Sequence, residues 1–242
     1  MKYFTLNRNL AHLALLQRIE LADNKLKRIR KIFGRYLFSK VFSKYFVNTK
    51  EISENYTKIM DKEFNTIKKF ILDKKNFLSI GAGIGGLELL ILRTISNSRV
   101  SFIEKNYVSD KIKYGWDNSN REGYNDLNQL DHFLKTNEIS NDRYQIFDFD
   151  KGNFPKHNFD VLLSIYSLDY HYDFEIYSNY LKKIMNKDSI LIFDTIRPEY
   201  FENIFEQVEI VKEDFKTVHK SKRIACRKFK WKRLKTLKKI YQ

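Results

Sequence analysis

A chain of 242 residues with 43% apolar and 15% aromatic side chains can bury a sizeable core, which suits one α/β domain with an appendage and excludes wholesale disorder. Its single cysteine, Cys226, excludes an internal disulfide and points to a reducing compartment, while five scattered histidines without thiol partners offer no metal site. The formal net charge of +15 is segregated, at +11 over residues 1–76, −8 over 77–215 and +12 over 216–242, so an anionic partner meets the ends first.

In chain order, the apolar stretch Leu10 to Leu16 is broken by His12 and closed by Gln17 and Arg18. It reads as neither a secretory segment nor a membrane span, and the expected location is the cytoplasm. Residues 7–46 are predicted helical, with Phe33, Leu37, Val41 and Tyr45 on one stripe that Phe38, Phe42 and Phe46 widen. Lys27, Arg28, Arg30, Lys31, Arg35, Lys40 and Lys44 take the other face. Such a basic aromatic helix packs on the core, covers a substrate site or lies on anionic lipid at the inner membrane face, and all three readings stay open. From Ile52 the positions Tyr56, Ile59, Met60, Phe64, Ile67 and Ile71 follow helical spacing, behind a capping box of Asn48 and Glu51.

Strand and helix signals then alternate. Strands are predicted at 77–80, 100–104, 144–147, 160–165 and 189–194, and helices at 87–96, 124–137 and 174–185. This order predicts an α/β fold, a Rossmann-like doubly wound, mostly parallel sheet. A helix near 199–206 and two strand-like runs, 208–212 and 223–227, predict a C-terminal antiparallel hairpin. The expected division is a basic N-terminal helical extension (1–50), a central domain (51–227) and a basic C-terminal helix or tail (228–242).

The most informative stretch is FLSIGAGIGGLE at 77–88, where a strand-length apolar run breaks into glycines at 81, 83, 85 and 86 before a helix. Glycines there permit a tight strand-to-helix turn and let a ligand touch backbone. Glu104 ends the next strand, near the offset of about 20 residues at which an acid meets a ribose diol. The loop alone satisfies both the GxGxxG of nicotinamide enzymes and the GxGxG of methyltransferases.

Further segments favour one of these. LSIGAGIGG (78–86), FIEKN (102–106), FDFD (147–150), FDVLLSIYSLDYHY (159–172) and ILIFDTIR (190–197) resemble class I S-adenosylmethionine-dependent methyltransferases across roughly residues 55–227. The resemblance implies S-adenosyl-L-methionine as cofactor. It puts Gly81, Ala82, Gly83 and Gly85 against the methionine and ribose portions, and Glu104, with Lys105 beside it, at the ribose hydroxyls. Asp148 and Phe149 fall at the adenine, and Ser164 to His171 at the active-site wall. One departure stands out: many members carry an acid two residues before the first glycine, and this chain has Ser79, whose hydroxyl could bond the loop or the cofactor's amino group without the charge.

Methyl transfer to a hydroxyl needs in-line positioning and a base. His171 is the candidate general base, Asp169 could orient it or act itself, and Tyr170 could line the pocket; alternatively 170–172 merely lead into the next helix, capped by Asp173. Ser167-Leu168-Asp169-Tyr170 lacks the prolines found in methylases of exocyclic base amines. The His-Tyr pair, Tyr114-Gly115 and Tyr124-Asn125 loosely resemble bacterial methyltransferases of polysaccharide assembly. The expected substrate is therefore a sugar or similar small hydroxylated molecule, free or linked to nucleotide or lipid, with no stable protein partner. An RNA methyltransferase whose basic termini hold phosphates is the alternative, and a nicotinamide oxidoreductase a more distant one.

Overall fold

The computed structural model describes residues 2–109, 123–169, 173–213 and 221–230, apart from the side chains of Arg35 and Tyr36. Along the chain run α1 (Arg8–Gln17), a short 3₁₀ turn (Ile19–Leu21), α2 (Asn24–Leu37), a π-helical stretch (Phe38–Phe42), α3 (Ser43–Tyr45) and α4 (Thr49–Ile71). Then come β1 (Asn76–Ile80), α5 (Gly86–Thr94), β2 (Arg99–Glu104), β3 (Tyr107–Val108), β4 (Tyr124–Asn125), α6 (Leu127–Thr136) and β5 (Tyr144–Asp148). The remainder is β6 (Val161–Ser164), α7 (Glu175–Ile184), β7 (Ile190–Thr195), α8 (Pro198–Glu202), β8 (Phe205–Glu213) and β9 (Lys222–Phe229).

Among the described residues the main sheet has the order β5-β2-β1-β6-β7-β9-β8. The first five of these strands are parallel; β9 runs antiparallel to β7, and β8 antiparallel to β9, so the expected C-terminal hairpin forms. Strand order reverses between β1 and β6, and the carboxyl ends of those two strands define the topological switch point where doubly wound sheets bind ligands.

Near-continuous apolar runs form the central strands because helices cover both faces. Phe77, Phe102, Val161, Leu163 and Ile192 face one layer of helices, and Leu78, Ile80, Leu162, Leu191 and Phe193 face the other, as the two-residue period of a strand requires. On the first face α1 is part of the core: Leu10, Ala11, Leu13, Ala14 and Leu15 are buried with α4, α5 and α6 residues and with Phe77 and Phe102. Residues before 51 and the sheet thus share one hydrophobic core.

The predicted helix over 7–46 is broken rather than continuous. Arg18 leaves helical geometry, Asp23 accepts a hydrogen bond from the Leu26 N–H (2.6 Å) to start α2, and Gly34 at φ +76° kinks it. Asn48 caps α4 through the Glu51 N–H as expected. The helix predicted from 124 starts later, because Asp126 accepts from the Asn128 and Gln129 N–H groups while Tyr124 and Asn125 pair with Val108 and Tyr107. The basic stretch 231–242 lies outside the described residues.

A buried charge lattice ties the end of the sheet to α4. Arg223 on β9 donates to both oxygens of Asp194 on β7 (3.1 Å each), to Glu63 and to Thr66 Oγ1 (2.8 Å) on α4, and Glu63 also faces Lys212 (3.4 Å) and Arg18 (3.9 Å). Burial raises the cost of charging Glu63, yet Arg223, Arg18 and Lys212 hold its carboxyl below its ordinary value.

Candidate functional site

The loop 81–86 bridges β1 and α5 at the switch point. Gly81, Gly83 and Gly85 all have positive φ (+72°, +64° and +81°). At all three a side chain would be crowded: a Cβ on Gly81 would run into Ser167 Oγ, one on Gly83 into Gln17 Oε1, and one on Gly85 would sit 2.8 Å from Leu130 Cδ1. The loop is therefore closed on by the segment after β6 and by the end of α1.

Five of its six amide donors are engaged by the protein. Gly81 N–H donates to Ile103 O (3.1 Å), Gly83 N–H to Glu104 Oε1 (2.7 Å) and Ile84 N–H to Gln17 Oε1 (3.1 Å). Gly85 N–H donates to Ala82 O (3.2 Å) and Gly86 N–H to Tyr56 Oη (3.2 Å). Gln17 also donates to Tyr124 O (2.7 Å), and Asn125 Nδ2 donates to Gly83 O (2.7 Å), so α1 and β4 clamp the loop together. This is no open nest of amides of the kind that cradles a pyrophosphate.

Two buried carboxylates lie against this loop. Glu104, at the carboxyl end of β2, has its carboxyl pushed up to about 8 by burial, against the lowering effect of the Gly83 and Ala82 N–H groups and Asn125. Ser79 is buried and its hydroxyl donates not to the loop but to Glu88 Oε1 (2.6 Å) in the first turn of α5. Burial pushes Glu88 up to about 7, and its Oε2 has no hydrogen-bond partner. The carboxylate missing at position 79 is thus delivered from nine residues further on. Two acids beside a loop whose amides are mostly bonded within the protein fit a nucleoside cofactor that is cationic and lacks a pyrophosphate better than one that carries it.

Asp148 ends β5 in register with Glu104 on β2. Its Oδ1 accepts from Asp150 N–H (3.1 Å), and Phe149 beside it lies under Lys105 Nζ (5.4 Å) and packs on Phe154 and Tyr177. The two strand ends thus set an acid pair and an aromatic ring on the same rim of the sheet.

The segment after β6 is held rigidly. Ser164 Oγ donates to Ile80 O (2.8 Å) and accepts from Leu168 N–H (2.8 Å), stapling this segment to β1. Tyr166 and Asp169 both adopt positive φ (+59° and +58°), costly for residues with side chains and frequent at functional sites. Tyr166 lies under Arg18 (4.9 Å) and its N–H donates to Asp194 (3.1 Å). Asp169 is fully buried and accepts from Thr195 Oγ1 (2.6 Å) and Arg197 Nε (3.2 Å), so it is a partner of Arg197 rather than a solvent-facing base. Tyr170, His171 and Tyr172 lie outside the described residues, as do Tyr114 and Gly115. Asp173 accepts from Glu175 N–H (3.3 Å) at the start of α7.

Gln17, Tyr56, Glu88, Asn125 and Arg197 were not among the sequence candidates, yet each contacts the glycine loop or a predicted site residue. The polar pair Gln17-Arg18 ending an apolar run, and Asn125-Asp126 ahead of a helix, are the signals that could have flagged two of these positions.

No protein-family model matches the chain, and no curated protein sequence does. Solved structures match in fold. A Nostoc punctiforme protein assigned as an O-methyltransferase is 11% identical over 73% of this chain and 61% of its own, with a TM-score of 0.50. The precorrin-6y C5,15-methyltransferase of Geobacter metallireducens is 12% identical over 71% of this chain and 88% of its own, with a TM-score of 0.46. At such identities the likeness is one of architecture: the chain has the class I S-adenosylmethionine-dependent methyltransferase fold. It spans about three fifths of the Nostoc protein's length.

Proposed function

We propose that the protein is an S-adenosylmethionine-dependent methyltransferase that transfers a methyl group to a hydroxyl of a sugar or another small hydroxylated molecule, free or carried on a nucleotide or lipid. The observation that carries the reading is the pair of buried acids, Glu88 and Glu104, at a glycine loop most of whose amides are already bonded within the protein. Such a site offers few open amides to a dinucleotide's pyrophosphate, and acids whose ionisation burial disfavours regain their charge beside a sulfonium or an ammonium. When bound, the cofactor supplies the electrophilic methyl group.

The chain's own residues hold and orient. Gly81, Ala82, Gly83 and Gly85 give close backbone approach, Glu104 accepts from the ribose hydroxyls, and Asp148 and Phe149 with Lys105 border the adenine. Ser164 fixes the wall of the site, and Ser79 holds Glu88 in place. His171 takes the acceptor's proton, Tyr170 lines the pocket, and Asp169 holds Arg197 at the carboxyl end of β7.

The test is calorimetric titration with S-adenosylhomocysteine and, separately, NADH, followed by incubation with methyl-labelled cofactor and fractionated cell extract. The expected result is binding of S-adenosylhomocysteine alone, weakened at least tenfold in Glu104→Ala, and label in a glycan or small-molecule fraction. Binding of NADH alone overturns the cofactor. The charge segregation favours one second reading, an RNA methyltransferase. Label in RNA, with binding that falls steeply with salt, would decide for it.

A further inference from the structure

Residues 24–46 contain eight Lys/Arg and no Asp/Glu. The segment is mounted firmly on its inner side: Leu26 and Phe38 are buried, and Ser43 Oγ donates to Ser39 O (2.8 Å) and bonds His12 Nδ1 of α1 (3.0 Å). Its outer side is different. Ile32 is 74% exposed, Phe46 64%, Tyr45 58%, Phe33 49% and Leu37 43%.

These side chains are not scattered. The rings of Phe33 and Phe42 are 5.1 Å apart and those of Phe42 and Phe46 5.7 Å, so residues from both sides of the Gly34 kink join in one surface cluster. Exposed cations surround it in the sequence at Lys25, Lys27, Arg28, Lys31, Lys40 and Lys44. A contiguous apolar patch left in water is costly and marks an interaction surface.

We propose that this face docks on an anionic lipid bilayer, its aromatic and aliphatic side chains entering the headgroup boundary while the lysines and arginines meet lipid phosphates. Basic charge interleaved with large apolar side chains, with no acid in the segment, is the composition of an interfacial amphipathic element. Among the described residues no helix is long and apolar enough to cross a membrane, so the contact is one of lying on the surface. RNA would use the cations but has no use for Ile32 and Leu37. A second copy would bring six exposed like charges against six. The inference does not rest on the methyl-transfer reading, and cofactor binding is a separate measurement.

Co-sedimentation of the full chain with phosphatidylcholine vesicles, with and without about one third phosphatidylglycerol, tests it. Binding is expected only to the anionic vesicles and should weaken at least tenfold when salt is raised from low to about 0.5 M, where the Debye length is only a few ångströms. The exposed-site double variants Ile32→Ser/Phe46→Ser and Lys27→Glu/Lys31→Glu should each lose about tenfold or more while keeping the wild-type circular dichroism and cofactor affinity. Both leave the basic stretch after residue 230 intact. Equal binding to neutral vesicles, no vesicle binding, or unchanged binding by both variants overturns the proposal. So does RNA binding lost in the charge variant alone, without vesicle binding. A dimer dispersed by Ile32→Ser/Phe46→Ser without vesicle binding would instead assign the face to a second copy.

Discussion

Ser79 and Glu88 form a single unit, a hydroxyl on the strand and a carboxylate on the helix, both buried. Placing a second acid there should be damaging, since two carboxylates at this separation cannot both ionise. Ser79→Asp is expected to cost about 2 kcal/mol or more, lowering the thermal midpoint by roughly 4–8 °C. Ser79→Asp with Glu88→Ser should recover most of that loss, and equal melting of the single and double variants would refute the coupling. A pH effect follows from the same acids. Glu88 near 7 and Glu104 near 8 lie above their ordinary 4.5, so the folded state holds protons that the unfolded state releases. Their contribution is complete below about pH 4.5 and is lost as pH rises through 7 and 8. His12, lowered from 6.5 chiefly by burial, works in the opposite sense, but only below about that pH. The melting temperature of the ligand-free protein should therefore fall between about pH 6.5 and 8, and Glu104→Gln should flatten the slope. The glycines and Glu104 were legible because chemistry fixes their spacing. Glu88 was not, because its importance comes from the strand it packs on.

At the scale of elements, α1 holds the loop through one side chain. Gln17→Ala would leave the Ile84 N–H and the Tyr124 carbonyl without their partners, and a cost of about 1–3 kcal/mol is expected. Hydrogen exchange at Ile84 reads this directly: protection there should fall more than at Ile103 in β2, and uniform loss would point to global destabilisation instead. The five parallel strands were legible to within a residue or two, since runs such as Phe77–Ile80 have no other reading in an alternating chain. The short pair β3 and β4 was missed because neither dipeptide carries a strand signal; each is extended only through its partner. Residues 7–46 looked like one helix because periodicity does not register what Gly34 and Asp23 do to the backbone.

Over the whole molecule, the basic and acidic segments read from the chain remain apart in sequence yet meet in one fold, since α1 and α4 pack against the acidic central sheet. The stripe through Phe33, Leu37 and Tyr45 was legible as apolar, but sequence periodicity could not say whether protein or something else would cover it. In the fold it faces outward. The same limit applied to Arg223: an arginine opening a strand-like run gave no hint that it would be wholly buried between Asp194 and Glu63.

The strand order also governs how the chain can be made. β9 lies between β7 and β8, so β8, although synthesised earlier, has no neighbour in the sheet until residues 222–229 have emerged. During translation the β8 edge, carrying exposed Ile210, must wait unpaired. A chain ending after residue 213 would keep all five parallel strands yet leave both β7 and β8 with an open edge, and in the growing chain closure is a race between β9 and any other strand that arrives first.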